Sequence, residues 1–241
     1  MKNKMFSREE ILDQIHDGQS ILYSDVHGGM AADELIDGIL ERGIKDLTII
    51  GITSGRANMG MGRLIAEKRV KKVMTTHIGL NKASIEQMFA GELEVEFIPQ
   101  GTFAERIRCG GFGLGGCLTR TGIGTQMQEG KEVININGVD YLLELPIHAD
   151  IALLHATKAD KAGNLYCRGT SHLCVDYMAM AADLVIAEVE EVVEIGELDP
   201  EKIIVQAPIV DMVYERQGEK TPMWPAWKAQ IDKIKAKQAA E

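Results

Sequence analysis

The sequence predicts an α/β fold built on an open, mostly parallel mixed sheet flanked by helices. Two observations predict this architecture. Apolar, strand-like runs alternate with amphipathic helical segments through the first half of the chain, and alternation at this spacing is typical of a parallel sheet with helices on both faces. The run LTIIGI at residues 47–52 is continuously apolar, as a parallel strand covered on both faces is.

The first elements follow from local signals. Ser7 and Glu10 have the spacing of a capping box, so a helix is expected over residues 7–16. A buried strand over 20–25 runs into the glycine turn VHGGM, and a helix over 31–42 follows. The remaining elements of this half are strands over 47–52, 70–78 and 93–98 and helices over 58–68 and 84–89.

The second half of the chain changes pattern. Asn137-Gly138 lies between two β runs, and this dipeptide is the strongest short signal for a two-residue hairpin. Buried strands are expected over 151–160 and 182–192, with a helical segment over 176–183 between them. We expect one domain over residues 1–217.

The tail, residues 218–241, is expected to hold a terminal helix. Its docking face would consist of Trp224, Trp227 and Ile231, while its lysines form a solvated face.

Composition excludes several classes of protein. A net charge of -10 argues against a nucleic-acid partner, which requires basic surface. No apolar run reaches the length of a membrane span, and the charged N-terminal residues do not resemble a signal peptide, so a cytoplasmic location is expected. The four cysteines show no C-x-x-C spacing and are expected to be free, mostly buried thiols.

Other candidate sites are weaker. The segment GGFGLGG at residues 110–116 matches G-x-G-x-x-G, but it follows a helix and leads into a hairpin, unlike a dinucleotide-binding turn. His172, Cys174 and Asp176 alternate as metal ligands on an extended strand would, yet a structural role is favoured and no metal is expected. His148 and His155 are interpreted as packed or capping histidines without carboxylate neighbours, and the run EVEEVVE as solvated.

Small and polar residues follow several strands of the predicted sheet. Ser24 and Asp25 precede the glycine turn, Ser54 follows the second strand, His77 ends the third, and Gln100 follows the fourth. Since ligands bind at the carboxyl ends of parallel strands, a cleft is expected there. The glycine turn fits an anion pocket and a simple tight turn equally well. The sequence contains no recognisable nucleophile motif of its own.

Four stretches carry a resemblance to a known family. They are residues 91–125, 129–133 and 158–165, together with the segment VEEVVEIGELDPEKI. On these the chain, from about residue 1 to 216, resembles the α (A) subunit of family I coenzyme A transferases, of the 3-oxoacid and acetate/acetoacetate type. The resemblance implies the NagB/RpiA/CoA-transferase fold.

The same resemblance implies a shared active site. Members of the family work as paired α and β subunits, αβ or α2β2, and the catalytic glutamate lies in a Ser-Glu-Asn-Gly motif of the β subunit. That motif is absent here, so no catalytic residue is expected in this chain. The implied reaction moves CoA between a short-chain acyl-CoA and a carboxylic acid by a ping-pong mechanism through a glutamyl-CoA thioester. CoA is then a co-substrate, and no permanently bound cofactor is expected.

Two sets of residues are expected to form the site. The residues expected to bind CoA are Ser24, Asp25, Val26, His27, Gly28, Gly29 and Met30. The residues expected to bind the acid are Gln100, Thr53, Ser54 and His77. Of these, Gln100 matches the glutamine of the P-Q-G-T motif that the family places in its site.

Departures from the family pattern suggest an altered acid pocket. Ser24-Asp25-Val26 stands where the family usually has Gly-Gly-Phe, and Ala31-Ala32 stands where the family has proline. Ile52-Thr53 replaces a polar pair that contains asparagine. Residues 172–175 replace Arg-Asn-Phe-Asn. An acid other than acetoacetate is therefore expected.

Two alternatives to CoA transfer stay open. One is a CoA-ester hydrolase or C–C-cleaving enzyme on the same scaffold. The other is a non-enzymatic regulatory or sugar-phosphate-binding protein. The glycines of residues 110–116 would either pack against the first-strand turn and a subunit interface, so shaping the acyl pocket, or serve as scaffold alone.

Overall fold

The computed structural model describes residues 2–25, 30–218, 232 and 235–238. Its strands are β1 Ser20–Tyr23, β2 Leu47–Thr53, β3 Val70–His77, β4 Glu94–Phe97, β5 Cys117–Thr119, β6 Val133–Ile136, β7 Val139–Glu144, β8 Ala149–Ala156, β9 Lys158–Asp160, β10 Leu165–Tyr166, β11 Ala182–Val189, β12 Val192–Val193 and β13 Met212–Glu215. Its helices are α1 Arg8–Leu12, α2 Asp33–Glu41, α3 Gly62–Ala66, α4 Lys82–Phe89, α5 Gln100–Gly111 and α6 Val175–Met180.

One large sheet organises the described residues. Its order is β13-β11-β8-β1-β2-β3-β4, and every neighbouring pair in it is parallel. Among the strands of the described residues, antiparallel pairs occur only in two small sheets, β5-β7-β6 and β10-β9-β12. The predicted α/β class with a mostly parallel sheet is thus confirmed.

Successive side chains of the central strands pack into two hydrophobic cores, one on each face of the large sheet. Ile21 and Tyr23 of β1 join the core beneath α1, α2 and α3, whereas Leu22 joins the core beneath α5 and α6. Side chains of a strand alternate between its faces, so a strand covered on both sides must be apolar at every position. This explains the continuous apolar runs of the sequence.

The two strongest local signals are confirmed. The Ser7 backbone N–H donates to Glu10 Oε2 at 2.8 Å, and the Glu10 N–H donates to Ser7 Oγ at 3.3 Å, which completes the capping box of α1. Asn137 and Gly138 both have positive φ, of 52° and 81°, and join β6 to β7 in a hairpin. Positive φ at both central residues is what a type I′ turn requires.

Several predicted bounds are wrong. Helix α1 ends at Leu12 rather than residue 16, and α3 begins at Gly62 rather than residue 58. The run 151–160 is divided between β8 and β9, and the run 182–192 between β11 and β12. In both cases the first strand belongs to the large sheet and the second to the small sheet β10-β9-β12. A continuous apolar run does not indicate where the chain changes from one sheet to another.

The tail lies mostly outside the described residues, including Trp224, Trp227 and Ile231. Residues 232 and 235–238 are helical and exposed. Within the part of the chain that the structure describes, no helix combines the length and apolar character needed to cross a membrane.

Gly110 and Gly111, at the end of α5, approach neighbouring elements too closely for a side chain. A Cβ on Gly110 would lie 1.9 Å from the carbonyl oxygen of Ile147, and a Cβ on Gly111 would lie 2.8 Å from Met180 Cβ of α6. These glycines therefore seat the end of α5 against α6 and the residues that enter β8. Residues 26–29 of the first-strand turn lie outside the described residues, so the expected packing of these glycines against that turn stays a prediction.

We predict that Gly110→Ala destabilises the fold. Alanine favours a helix by about 1 kcal/mol over glycine, but overpacking against backbone costs about 1–3 kcal/mol, so a net loss of up to about 2 kcal/mol is expected. Urea unfolding of the purified chain measures it. Gly115→Ala is the matched control, because nothing lies within 4 Å of a Cβ there. Equal stability of the two variants would contradict the seating role.

Candidate active site

A cavity of about 260 Å³ opens at the carboxyl ends of the parallel strands. Open parallel sheets bind ligands at this edge. The side chains that line the cavity come from the ends of β1, β2 and β3, from α5 and from the segment before α6. They are Asp25, Ile52, Thr53, Thr76, His77, Gln100 and Leu173.

Strand pairing brings Thr53 and His77 together. They are the last residues of β2 and β3 and are paired in register. The Thr53 hydroxyl oxygen accepts a hydrogen bond from the Gly55 N–H at 3.2 Å, which leaves its proton available to a ligand. Thr76 donates to the Ile52 carbonyl at 2.6 Å, so its oxygen can accept.

The buried side chain of Tyr23 contacts the end of β2. Its hydroxyl donates to the Thr53 carbonyl, and its ring occupies the space that a side chain at Gly51 would fill. Burial raises the pKa of Tyr23 well above its ordinary value, so the hydroxyl keeps the proton that it donates.

Asp25 reaches the cavity from the residues beyond β1. It is only 3% exposed, and its Oδ2 atom lies 2.1 Å from the position that a Cβ on Gly60 would take. Gly60 itself has a φ of 49°. The glycine thus provides both the turn and the space that the carboxyl group occupies.

Gln100 is the first residue of α5 and is exposed at the cavity. Pro99 precedes it, and the Pro99 carbonyl accepts from the Phe103 N–H at 2.8 Å. The first N–H groups of a helix have no partner within the helix and carry partial positive charge. Because Gln100 is the first residue of α5 and lines the cavity, its side-chain amide and the first N–H groups of the helix are donors close to the cavity.

Leu173 lies in the segment between β10 and α6, which is not an extended strand. Residues 169–172 form a single 3-10 turn, Cys174 has a φ of 59°, and α6 begins at Val175. The extended strand that would align His172, Cys174 and Asp176 is therefore absent, and no His, Cys, Asp or Glu cluster in the described residues could hold a metal ion.

The structure does not bring Ser54 into the cavity lining. Its side chain is buried, and its carbonyl accepts from Asn81 Nδ2 at 3.1 Å. Asn81 also caps α4 through its Oδ1 atom, so one buried amide holds the turn after β2 to the start of that helix. The sequence analysis missed Asn81, although an asparagine before a helical run is a typical N-cap signal.

The residues expected to bind CoA are described only in part. Val26, His27, Gly28 and Gly29 lie outside the described residues. Ser24 and Met30 line a small hollow beside Asp25, which His155 also borders. Ser24 Oγ accepts from the His155 N–H at 3.2 Å.

Two interpretations of charged residues are wrong. His155 does have a carboxylate neighbour, since its Nε2 atom lies 3.6 Å from Glu190 Oε1. The run 188–194 is not fully solvated, because Glu188 is 0% exposed and its Oε2 accepts from the Leu35 N–H of α2 at 3.0 Å. Burial raises the pKa of Glu188 to about 7. Alternation along β11 turns this side chain inward, and helix α2 then covers it.

All four cysteines are free thiols, as predicted. Burial raises the pKa of Cys117 to about 11 and that of Cys167 to about 12. A thiol with such a pKa is protonated near neutral pH and is a poor nucleophile.

The family coenzyme A transferase matches residues 7–216. The chain belongs to this family. It is 38% identical to the acetate CoA-transferase subunit alpha of Escherichia coli (strain K12), over 91% of this chain and all of that protein. It is 41% identical to the acetoacetyl-CoA:acetate/butyrate CoA transferase alpha subunit of Clostridium acetobutylicum, over 88% and 98% of the two chains. The resemblance noted in the sequence is confirmed.

Solved CoA-transferases share the fold. An acyl-CoA transferase from E. coli O157:H7, in a thioester complex with CoA, superposes with a TM-score of 0.80 at 20% identity, over 92% of this chain and 52% of that one. Glutaconate coenzyme A-transferase from Acidaminococcus fermentans gives 0.76 at 20% identity, over 88% and 75%. The AibA/AibB decarboxylase gives 0.77 at 24% identity, over 93% and 87%. The same architecture thus occurs in enzymes of two reaction classes.

We predict that Glu188 makes stability depend on pH. Its pKa is raised above the ordinary 4.5 to about 7, so between these values the folded chain holds a proton that the unfolded chain has released. Stability therefore falls as pH rises through this window, by up to about 3 kcal/mol. Glu188→Gln, which keeps the acceptor for Leu35, is expected to flatten this dependence. Thermal unfolding between pH 5 and 8 measures it, and parallel curves for parent and variant would contradict the assignment.

Proposed function

We propose that the chain is the α subunit of a heteromeric CoA-transferase that moves CoA between a short-chain acyl-CoA and a free carboxylic acid. The observation that carries this proposal is a cavity at the sheet edge, in a member of the coenzyme A transferase family, whose lining contains donors and apolar walls but no activated nucleophile among the described residues. A cavity with this lining would need a nucleophile from another polypeptide chain.

The reacting group is then a glutamate of a β subunit, in its Ser-Glu-Asn-Gly motif. Its carboxylate attacks the acyl-CoA thioester and displaces CoA thiolate, which forms an acyl-glutamyl anhydride. The thiolate attacks the glutamyl carbonyl and releases the first acid, leaving a glutamyl-CoA thioester. A second acid takes up CoA by the reverse steps.

The residues of this chain would serve the reaction by binding and by charge stabilisation. Each addition places negative charge on a carbonyl oxygen, and the Gln100 amide together with the first N–H groups of α5 can donate to it. The Thr53 hydroxyl and His77 are placed to hold the carboxylic acid. Ile52 and Leu173 would exclude water, which otherwise hydrolyses the anhydride.

CoA binding is assigned to the loop beyond β1. The residues concerned are those predicted from the sequence, Ser24, Asp25, Val26, His27, Gly28, Gly29 and Met30. Ser54 and Asn81 act behind the cavity and position the turn after β2.

We assign one face of the small sheet β5-β7-β6 to contact with the β subunit. Residues paired directly across neighbouring strands share a face, and on one face all six are apolar. This apolar face comprises Leu118, Ile134, Ile136, Val139, Tyr141 and Leu143. Each is partly exposed, with Ile136 at 43% and Leu118 at 39%. Contiguous apolar surface on an acidic chain marks a protein interface, and several curated relatives are named α or A subunits.

Reconstitution tests the proposed function. Co-expression with a β subunit that carries Ser-Glu-Asn-Gly is expected to yield a complex that exchanges acyl groups between acids, while the purified chain alone is inactive. Isotope exchange between an acyl-CoA and a labelled acid, followed by mass spectrometry, detects transfer. CoA release or CO₂ production without exchange would favour the hydrolase or C–C-cleaving alternative, and full activity of the chain alone would overturn the proposal.

Gln100→Ala is expected to lower kcat of that complex about tenfold to hundredfold, with a smaller change in KM, because its donor acts where charge develops. Gln126→Ala, at an exposed site away from the cavity, is the control and should leave kcat unchanged. A Gln100 variant as active as the control would remove this residue from the mechanism.

Ile136→Glu is expected to weaken assembly with the β subunit at least tenfold, because it would bury an unpaired charge in the interface. Size-exclusion chromatography over a concentration series measures this. The control is Phe89→Glu, which changes a side chain that is 82% exposed on α4, outside the apolar face. Equal assembly of both variants would place the interface elsewhere.

A further inference from the structure

We propose that Asp25 makes this enzyme selective for acids that carry a hydrogen-bond donor, a hydroxyl or an ammonium group, on the acyl chain, and selective against acids with a second carboxylate. This inference rests on the proposed function and names its substrate class. It follows from the position of Asp25 in the cavity lining, from its close packing against Gly60 and from the charged side chains among the lining residues.

Asp25 is a buried carboxyl group at a cavity that a ligand can enter. It is 3% exposed and lines the same cavity as Thr53, His77 and Gln100. A carboxyl group offers about four acceptor positions on its two oxygens, so it can accept from a ligand in addition to any protein partner. A hydroxyl or ammonium group of a ligand can donate to one of these positions, whereas a methylene group cannot.

Gly60 fixes where that carboxyl group lies. An alanine here would place its Cβ 2.1 Å from Asp25 Oδ2 and 3.1 Å from Ala31 Cβ. The aspartate therefore occupies a space that exists only because residue 60 has no side chain. Asp25 follows β1 and Gly60 precedes α3, and their close packing holds the carboxyl group in one position, which is what a specificity-determining group requires.

The remaining lining defines the rest of the ligand. Thr53, Thr76, His77 and Gln100 provide donors and acceptors for the reacting carboxyl group, whereas Ile52 and Leu173 are apolar walls for a hydrocarbon chain. A cavity of about 260 Å³ is smaller than the roughly 300–1,000 Å³ typical of sites for drug-sized ligands, which suits a small acid.

The charge of the lining excludes another class of acids. Among the described residues that line the cavity, Asp25 is the carboxyl group, and neither lysine nor arginine is present. A dicarboxylic acid would bring its second carboxylate beside the Asp25 carboxyl group, in a lining whose described residues include neither lysine nor arginine. Discrimination of this kind comes from repulsion of the wrong ligand as well as from attraction of the right one.

The test uses the reconstituted αβ complex and four acceptor acids, butyrate, 3-hydroxybutyrate, 3-aminobutyrate and succinate, with acetyl-CoA as donor. For the parent complex, kcat/KM is expected to be at least tenfold higher with 3-hydroxybutyrate or 3-aminobutyrate than with butyrate, and lowest with succinate. Whichever of the two substituted acids is preferred identifies the donor as hydroxyl or ammonium.

Variants then assign the preference to Asp25. Asp25→Gly is expected to remove it, making butyrate the equal of the substituted acids. Asp25→Asn keeps the size and one acceptor oxygen, so it should keep part of a hydroxyl preference but lose an ammonium preference. Gly60→Ala displaces the carboxyl group without removing it and is expected to act like Asp25→Gly. Asp46→Asn, at an exposed turn before β2, is the control and should keep the parent order.

Each outcome separates the two proposals. If the complex transfers CoA but prefers butyrate, or keeps its order of preference in Asp25→Gly and Asp25→Asn, the selectivity assigned to Asp25 is wrong and the transferase function stands. If no acid accepts CoA from the assembled parent complex, the proposed function fails and this inference with it. Co-elution of the two subunits shows that each variant is assembled. If the glycine variant does not fold, Asp25→Ala, which also removes every acceptor oxygen, takes its place, and an unchanged order of preference in it overturns the selectivity assigned to Asp25.

Discussion

The parallel pairing of β1, β2 and β3 is the constraint on which the candidate site depends. Neighbouring parallel strands end at the same edge of a sheet. Strand pairing therefore brings residues that are far apart in the chain close together there, even where their side chains do not touch. Thr53 and His77 face the cavity because β2 and β3 are in register, and Asp25 joins them because β1 pairs with β2. A shift of one residue in either pairing would turn these side chains to the opposite face.

Buried polar groups hold the loops at that edge in place. The Tyr23 hydroxyl fixes the carbonyl of Thr53, the Asn81 amide fixes the carbonyl of Ser54, and Ser24 Oγ receives the N–H of His155. Loops carry backbone groups that strand pairing does not satisfy, and a buried group left without a partner is costly. The polar residues beneath the cavity therefore have a structural role that is separate from chemistry.

The cavity has the character of one wall of a site. Its donors lie on Gln100 and at the start of α5, its apolar surface on Ile52 and Leu173, and its carboxyl group on Asp25, while the buried thiols have pKa values that keep them protonated. The apolar face of the small sheet lies on a separate part of the fold, which the close packing of Gly110 and Gly111 joins to α6 and β8. The cavity and the apolar face that we assign to the β subunit thus lie on different elements.

The sequence by itself determined what depends on near neighbours. The capping box of Ser7, the turn at Asn137-Gly138 and the strand ends that place Thr53, His77 and Gln100 at one edge are all local patterns, and the family is identified from continuous stretches. Tertiary structure alone decided that Gly60 makes room for Asp25, that Leu173 reaches the cavity from the segment before α6, and that α2 buries Glu188. The physical reason is that burial and close approach are set by partners distant in the chain, and local periodicity carries no information about them.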